Sequence, residues 1–189
     1  LPEDVIFVYG DLNDKEKLKE VFFNHKIDFV VHFAAYLEVG ESVFKPAKYF
    51  YNNVISTIVL LETMLENNVK NIVFSSSAAV YGNPESIPIY EDFKLSPTSP
   101  YGETKLLMEN LLREFVNKHK FNSIALRYFN AAGSSKECGE NHDPETHIIP
   151  RFIKSGLKGE DITIFGDGSH RRDYVHIEDL AKAHVLSVF

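Results

Sequence analysis

The chain has a single cysteine, Cys138, and no apolar run approaching the roughly 20 residues that span a bilayer. A lone thiol excludes an internal disulfide framework and makes a reducing cytoplasm the expected compartment. Basic charge is scarce as well: 20 Lys and Arg stand against 27 Asp and Glu, a formal net charge of −7. That balance argues against nucleic-acid or anionic-membrane partners, which need clustered cations. Glycine is sparse where phosphate chemistry would want it. Of ten glycines only Gly166 and Gly168 are spaced G-x-G, with Arg171 where a third would fall. No internal repeat, low-complexity tract, initiator Met or signal pattern is present.

With 44% hydrophobic and 25% charged content over 189 residues, the chain is expected to fold as about one globular domain. Short β-branched or aromatic runs alternate with longer amphipathic stretches, the pattern of a parallel sheet covered by helices on both faces. Strands are expected at residues 5–9, 28–33, 71–75 and 123–128, and helices at 14–24, 48–66 and 99–118. Val54, Ile58, Leu61 and Leu65 form the expected buried stripe of the second helix; Leu107, Met108, Leu111, Leu112 and Phe115 form that of the third. Ser99 and Pro100 predict a capped start for the third helix. Residues 82–98, with Gly82, Pro84, Pro88 and Pro97, read as a long loop of the kind that is usually functional. Beyond residue 131 a second region is expected, with a helix at 148–157, strands at 162–165 and 173–175, and a helix from 178.

The chemistry concentrates between residues 75 and 105. Tyr101 and Lys105, four apart, project from one helix face, where an ammonium lowers the pKa of a phenol and fits it for proton transfer to or from a hydroxyl. Ser77, at the end of a predicted strand, supplies a second hydroxyl. In doubly wound sheets ligands bind beyond the strand ends. Those ends hold Asp11, Phe33, Ala34, Ala35, Ser75, Tyr128, Phe129 and Asn130, so they read as one cofactor cleft. The missing glycine-rich turn leaves two readings: the chain binds no dinucleotide, or its first strand and turn lie upstream of Leu1.

Seven segments occur in a telling order: Gly10-Asp11-Leu12; His32-Phe33-Ala34-Ala35 with Val39-Gly40-Glu41-Ser42; Asn52-Asn53-Val54; residues 74–82; residues 99–105; Arg127-Tyr128-Phe129-Asn130; and Arg172-Asp173-Tyr174-Val175-His176. Over essentially its whole length the chain resembles the extended short-chain dehydrogenase/reductase family, most of all its UDP-glucose 4-epimerase branch. The resemblance implies an α/β fold with a doubly wound, Rossmann-like parallel sheet, a partial NAD-binding domain at 1–130 and a partial nucleotide-sugar-binding region at 131–189. It implies NAD as cofactor, a UDP-sugar as substrate and a homodimer on the helices near 48–66 and 99–118. Tyr101 would take the proton from the sugar 4-hydroxyl while C4 passes hydride to NAD. Lys105 would bind the nicotinamide ribose, and Ser77 would hydrogen-bond the same sugar oxygen. The 4-keto sugar would turn over and be reduced on its other face. Asp11, Leu12, Phe33, Ala34, Ala35, Asn53, Ser75, Tyr128 and Phe129 would join Tyr101 and Lys105 around the cofactor. Asn130, His147, Phe165 and Arg172 would meet the substrate beside Ser77 and Tyr101.

Departures from the family pattern bear on the sugar. Leu37 stands where some members place a Lys, Ala79 where many place a Thr, and the stretch from Gly166 to Arg172 is short. Glucuronate, pentose and N-acetylhexosamine epimerases therefore remain alternatives, as does a non-catalytic sensor. Dehydratases and decarboxylases of the family use an acid where Ser77, Ala78 and Ala79 stand, so simple epimerisation is favoured. Cys138, His142 and His147 are read as incidental and no metal is expected. His32 reads as a core histidine, and Asp11 as a possible cap for the first helix. Because the pyrophosphate turn and the end of the sugar pocket are expected outside residues 1–189, this stretch alone is expected neither to retain NAD nor to turn over, and to expose apolar sheet edges.

Overall fold

The middle strand of the larger sheet, β2 (Asn71–Ser75), pairs in parallel with β1 (Val30–His32) on one side and β3 (Asn122–Leu126) on the other. Val73 lies opposite both Val31 and Ile124, so each strand end arrives at the same edge. The computed structural model describes residues 3–140, 142, 145–164 and 166–188. They divide into two compact units, the first running to Arg127 and the second beginning at Tyr128.

In the first unit, α1 (Lys15–Asn24) starts at Asp14, whose carboxylate accepts the Lys17 N–H. The cap is thus Asp14; Asp11 instead accepts from the backbone and side chain of Asn13 just upstream. After β1 come α2 (Val39–Phe44) and α3 (Pro46–Tyr49), then a π-helical turn (Phe50–Ile55) that runs directly into α4 (Ser56–Glu66). The π-turn's wider winding rotates the helix face that follows it. Leu61 of the expected stripe faces the core as expected, but it is joined there by Leu60 and Met64, while Val54 and Leu65 pack only around it. Helix α5 (Pro100–His119) begins as its sequence dictates: Ser99 accepts the Gly102 N–H, and Pro100 occupies the first turn, where no donor is missed. Its Met108 and Leu112 are buried, whereas Leu107 is 41% exposed. These two helices and Ile72 and Phe74 of β2 enclose one apolar cluster with Val69 and Phe121.

Residues 5–9 form no strand, for among the described residues no neighbour pairs with them, and Tyr9 is 87% exposed. In the second unit β4 (Asn130–Ala132) and β5 (Tyr174–His176) pair in parallel, α6 (Ile148–Lys158) lies between them in sequence, and α7 (Ile177–Leu186) follows. Residues 162–164 are likewise not strand.

Candidate active site

The end of β2 turns straight into a short 3-10 helix, Ala78–Tyr81, and Ser77 caps it by accepting the Ala79 N–H at 3.1 Å. That turn meets the start of α5 at Gly102. A Cβ on Gly102 would lie 2.8 Å from the Ala79 carbonyl oxygen and 2.9 Å from Pro97 Cβ, so only glycine lets the two elements close to this degree. Tyr101 and Lys105 are carried on those opening turns of α5. The Tyr101 N–H donates to Ser42 Oγ at 3.2 Å, and its carbonyl accepts from Thr104 Oγ1 at 2.7 Å.

Lys105 is 3% exposed. Its ammonium donates to the Ser75 carbonyl at 2.7 Å, lies 5.0 Å from the Phe74 ring centroid and 5.8 Å from that of Tyr101. Burial pushes its pKa down to about 8. The structure thus brings Ser75, Tyr101 and Lys105 together, a buried cation beneath a half-buried phenol, while Ser77 caps the turn that closes on Gly102. The arrangement suits proton exchange with a hydroxyl.

On the neighbouring strand end, Phe33 is 58% exposed, Ala34 is exposed and Ala35 half-buried. Asn53, fully buried in the π-turn, ties this loop to α5. Its Oδ1 accepts from the Tyr36 N–H at 2.8 Å and from Asn52, and its Nδ2 donates to the Tyr36 carbonyl at 3.0 Å and to Thr104 Oγ1 at 3.2 Å. All four hydrogen-bonding positions of that amide are therefore used within the protein, and its work is to set the loop. His32 sits buried beside Thr57 at 2.9 Å, its pKa lowered to about 4 by desolvation and then by the Lys105 charge. Behind the serine run, Ser76 donates to Glu109 at 2.5 Å, and Glu109 is held by Arg127 at 2.6 Å. Arg127 also donates to the Tyr81 hydroxyl and the Glu91 carbonyl. Ser42, Gly102, Thr104 and Arg127 stood in the sequence only as members of the family-like segments, with no role given to them, and Glu109 was not named. Only Gly102 carried a signal, as a glycine inside an amphipathic helix.

The second unit holds its own candidate residues. Tyr128 is half-buried against the His184 ring, with centroids 6.1 Å apart, and Phe129 is 40% exposed. Asn130 donates through both backbone and side chain to the Asp173 carbonyl. A cavity of about 410 Å³ is lined by Thr146, Ile148, Arg151, Phe152, Thr163 and Arg172, among others. Its size suits a small molecule, and its two guanidiniums suit an anion. His147 caps α6 and hydrogen-bonds Glu140, and it is not among the residues lining that cavity. Phe165 lies outside the described residues. No helix of the described residues is long and apolar enough to cross a membrane.

The UDP-glucose 4-epimerase of Halalkalibacterium halodurans is 48% identical over 193 residues, covering 97% of this chain and 58% of its own length. The crystal structure of UDP-glucose 4-epimerase from Brucella ovis in complex with NAD superposes with a TM-score of 0.91 at 43% identity, over 96% of this chain and 59% of that one. That of the Bifidobacterium longum UDP-glucose 4-epimerase in complex with NAD+ and UDP gives 0.88 at 39% identity, over 94% and 57%. The chain spans 58% of the length of the first curated relatives it matches. The sequence model of the NAD dependent epimerase/dehydratase family matches residues 1–188, and the chain belongs to that family.

Proposed function

We propose that the full-length protein is an NAD-dependent UDP-sugar 4-epimerase interconverting UDP-glucose and UDP-galactose. The observation that carries the reading is the buried Lys105 ammonium held by the Ser75 carbonyl beneath Tyr101. A non-catalytic sensor has no need of a desolvated cation beside a phenol. The absence of a carboxylate at Ser77, Ala78 and Ala79 supports epimerisation over elimination.

The residues present fit the cofactor. Small side chains at Ala34 and Ala35, on a loop whose backbone Asn53 fixes, leave room for a flat ring or a ribose. Asp11, Leu12, Phe33, Ala34, Ala35, Ser75 and Lys105 would hold it. NAD, when bound, supplies the reversible oxidation at C4 of the sugar. Tyr101 then takes and returns the proton of the 4-hydroxyl, and Lys105 favours the phenolate by its charge. Ser77 donates a hydrogen bond to the same oxygen. In the second unit Arg172 and Arg151 offer charge to the diphosphate, and Asn130 and the cavity wall hold the nucleotide. One relative solved with NAD and another solved with NAD+ and UDP support this assignment of partners.

The test is conversion of UDP-galactose to UDP-glucose by the full-length protein. Tyr101→Phe is expected to lower kcat by about 10²–10⁴-fold with UDP affinity unchanged, the usual worth of a positioned acid/base. Full turnover by that variant would remove Tyr101 from the chemistry. UDP-sugar and NAD binding without any conversion would favour the sensor or another sugar.

A further inference from the structure

We propose that Glu140, His142, Glu145 and His147 form a structural site for a divalent transition-metal ion of the zinc class. Each contributes one donor atom, and the four atoms lie within 4.8 Å of one another. The cluster belongs wholly to the second unit and immediately precedes α6. His142 Nδ1 lies 3.2 Å from Glu140 Oε1 and 4.0 Å from Glu145 Oε1, His147 Nδ1 contacts Glu140, and the two imidazoles stand edge to face at 5.1 Å.

Glu145 is the independent pointer. Its side chain is only 6% exposed, yet its Oε2 has no hydrogen-bond partner among the described residues. The Lys154 ammonium stands 3.6 Å from that oxygen, and the His147 N–H donates to the other at 3.0 Å. A nearly buried carboxylate with a second carboxylate in its cluster calls for more positive charge than one lysine at the rim supplies.

The donor set selects the ion. Two imidazoles and two carboxylates suit zinc and its neighbours, whereas calcium takes oxygen ligands alone. Four protein donors complete a tetrahedron, which is the mark of a closed, structural site. Donors at about 2.0–2.1 Å from such an ion stand about 3.4 Å apart, so the longest separation must contract by about 1.4 Å, within reach of side-chain rotation. Cys138 is exposed and is not one of the four. Thr146 and Ile148, beside His147, line the 410 Å³ cavity, so the ion would stiffen one of its walls.

The test uses the full-length protein freed of metal by chelation, then titrated with Zn²⁺ by calorimetry and with Co²⁺ by visible absorption. One ion per chain and the intense bands of four-coordinate Co²⁺ are expected. His142→Asn with His147→Asn should weaken binding by more than the roughly 10–100-fold that outer-shell partners are worth. Glu145→Gln, which preserves shape, should weaken it too, and serves if the double variant does not fold. Cys138→Ser should bind as the parent does. Absence of stoichiometric binding, parental affinity in the substituted proteins, or loss of binding in Cys138→Ser would each overturn the proposal.

Discussion

Ser77, Tyr101 and Lys105 show what spacing alone conveys. Tyr101 and Lys105 share a helix face because a helix repeats every 3.6 residues, a local rule that needs no knowledge of the fold. The groups that set them in place are different. Ser42 reaches the Tyr101 N–H from 59 residues away, and Gly102 matters only because Ala79 and Pro97 arrive against it. Gly102→Ala therefore forces α5 away from the turn capped by Ser77. Such overpacking costs typically about 1–3 kcal/mol of stability. A displacement of about 1 Å at a reacting group costs about 10²-fold in rate. The expected outcome is a kcat loss approaching that figure with an intact nucleotide Kd, measured by turnover and by UDP titration. Unchanged kcat would show that the close approach has no catalytic consequence.

At the scale of elements, the ends of β2 and β3 are locked to α5 by one ion pair. Glu109 is 6% exposed and takes Ser76 and Arg127 together, while Arg127 reaches on to Tyr81 and to the loop at Glu91. Arg127→Met strands the Glu109 carboxylate in the interior, and removal of one partner of a buried pair costs about 3–5 kcal/mol. Glu109→Leu combined with Arg127→Met removes both charges and should recover much of that loss, which urea denaturation of the three proteins would reveal. If the double variant is no more stable than Arg127→Met, the pair is solvated enough to tolerate a lone carboxylate. The pairing was not legible beforehand: Arg127 stood only within a family-like segment, and Glu109 is an ordinary helix residue until the register of β2 and β3 brings the two together. The π-turn at Phe50–Ile55 was hidden for the same reason: its sequence continues the helical pattern, and the extra winding appears only where Asn53 turns inward to Tyr36 and Thr104.

For the molecule as a whole, the buried titratable groups of the first unit fix how stability varies with pH. Lys105, lowered from 10.5 to about 8, is charged in both states below pH 8, so the full cost of its burial is present there. Between pH 8 and 10.5 the unfolded chain holds the extra proton, and stability rises with pH by on the order of 3 kcal/mol. His32, lowered from 6.5 to about 4, works at the acid end: stability is lost as pH falls through that window, because the unfolded chain takes up the proton first. Urea titrations should show the advantage of Lys105→Met over the parent shrinking from pH 8 to 10.5, and a flatter acid limb in His32→Gln. A constant difference across either window would mean the group is hydrated in the folded state. By itself the sequence determined the alternation of strand and helix, the cap of α5, the serine run at the end of β2 and the Tyr101–Lys105 pair. Each follows from local periodicity or from the chemistry of neighbouring residues. Only the tertiary structure decided that residues 5–9 carry no ladder, that α4 turns Leu60 and Met64 to the core beside Leu61, that Asn53 is consumed in fixing a loop, and that Glu140 and Glu145 join two histidines. Those outcomes depend on which distant backbone comes to lie alongside, a condition no window of sequence contains.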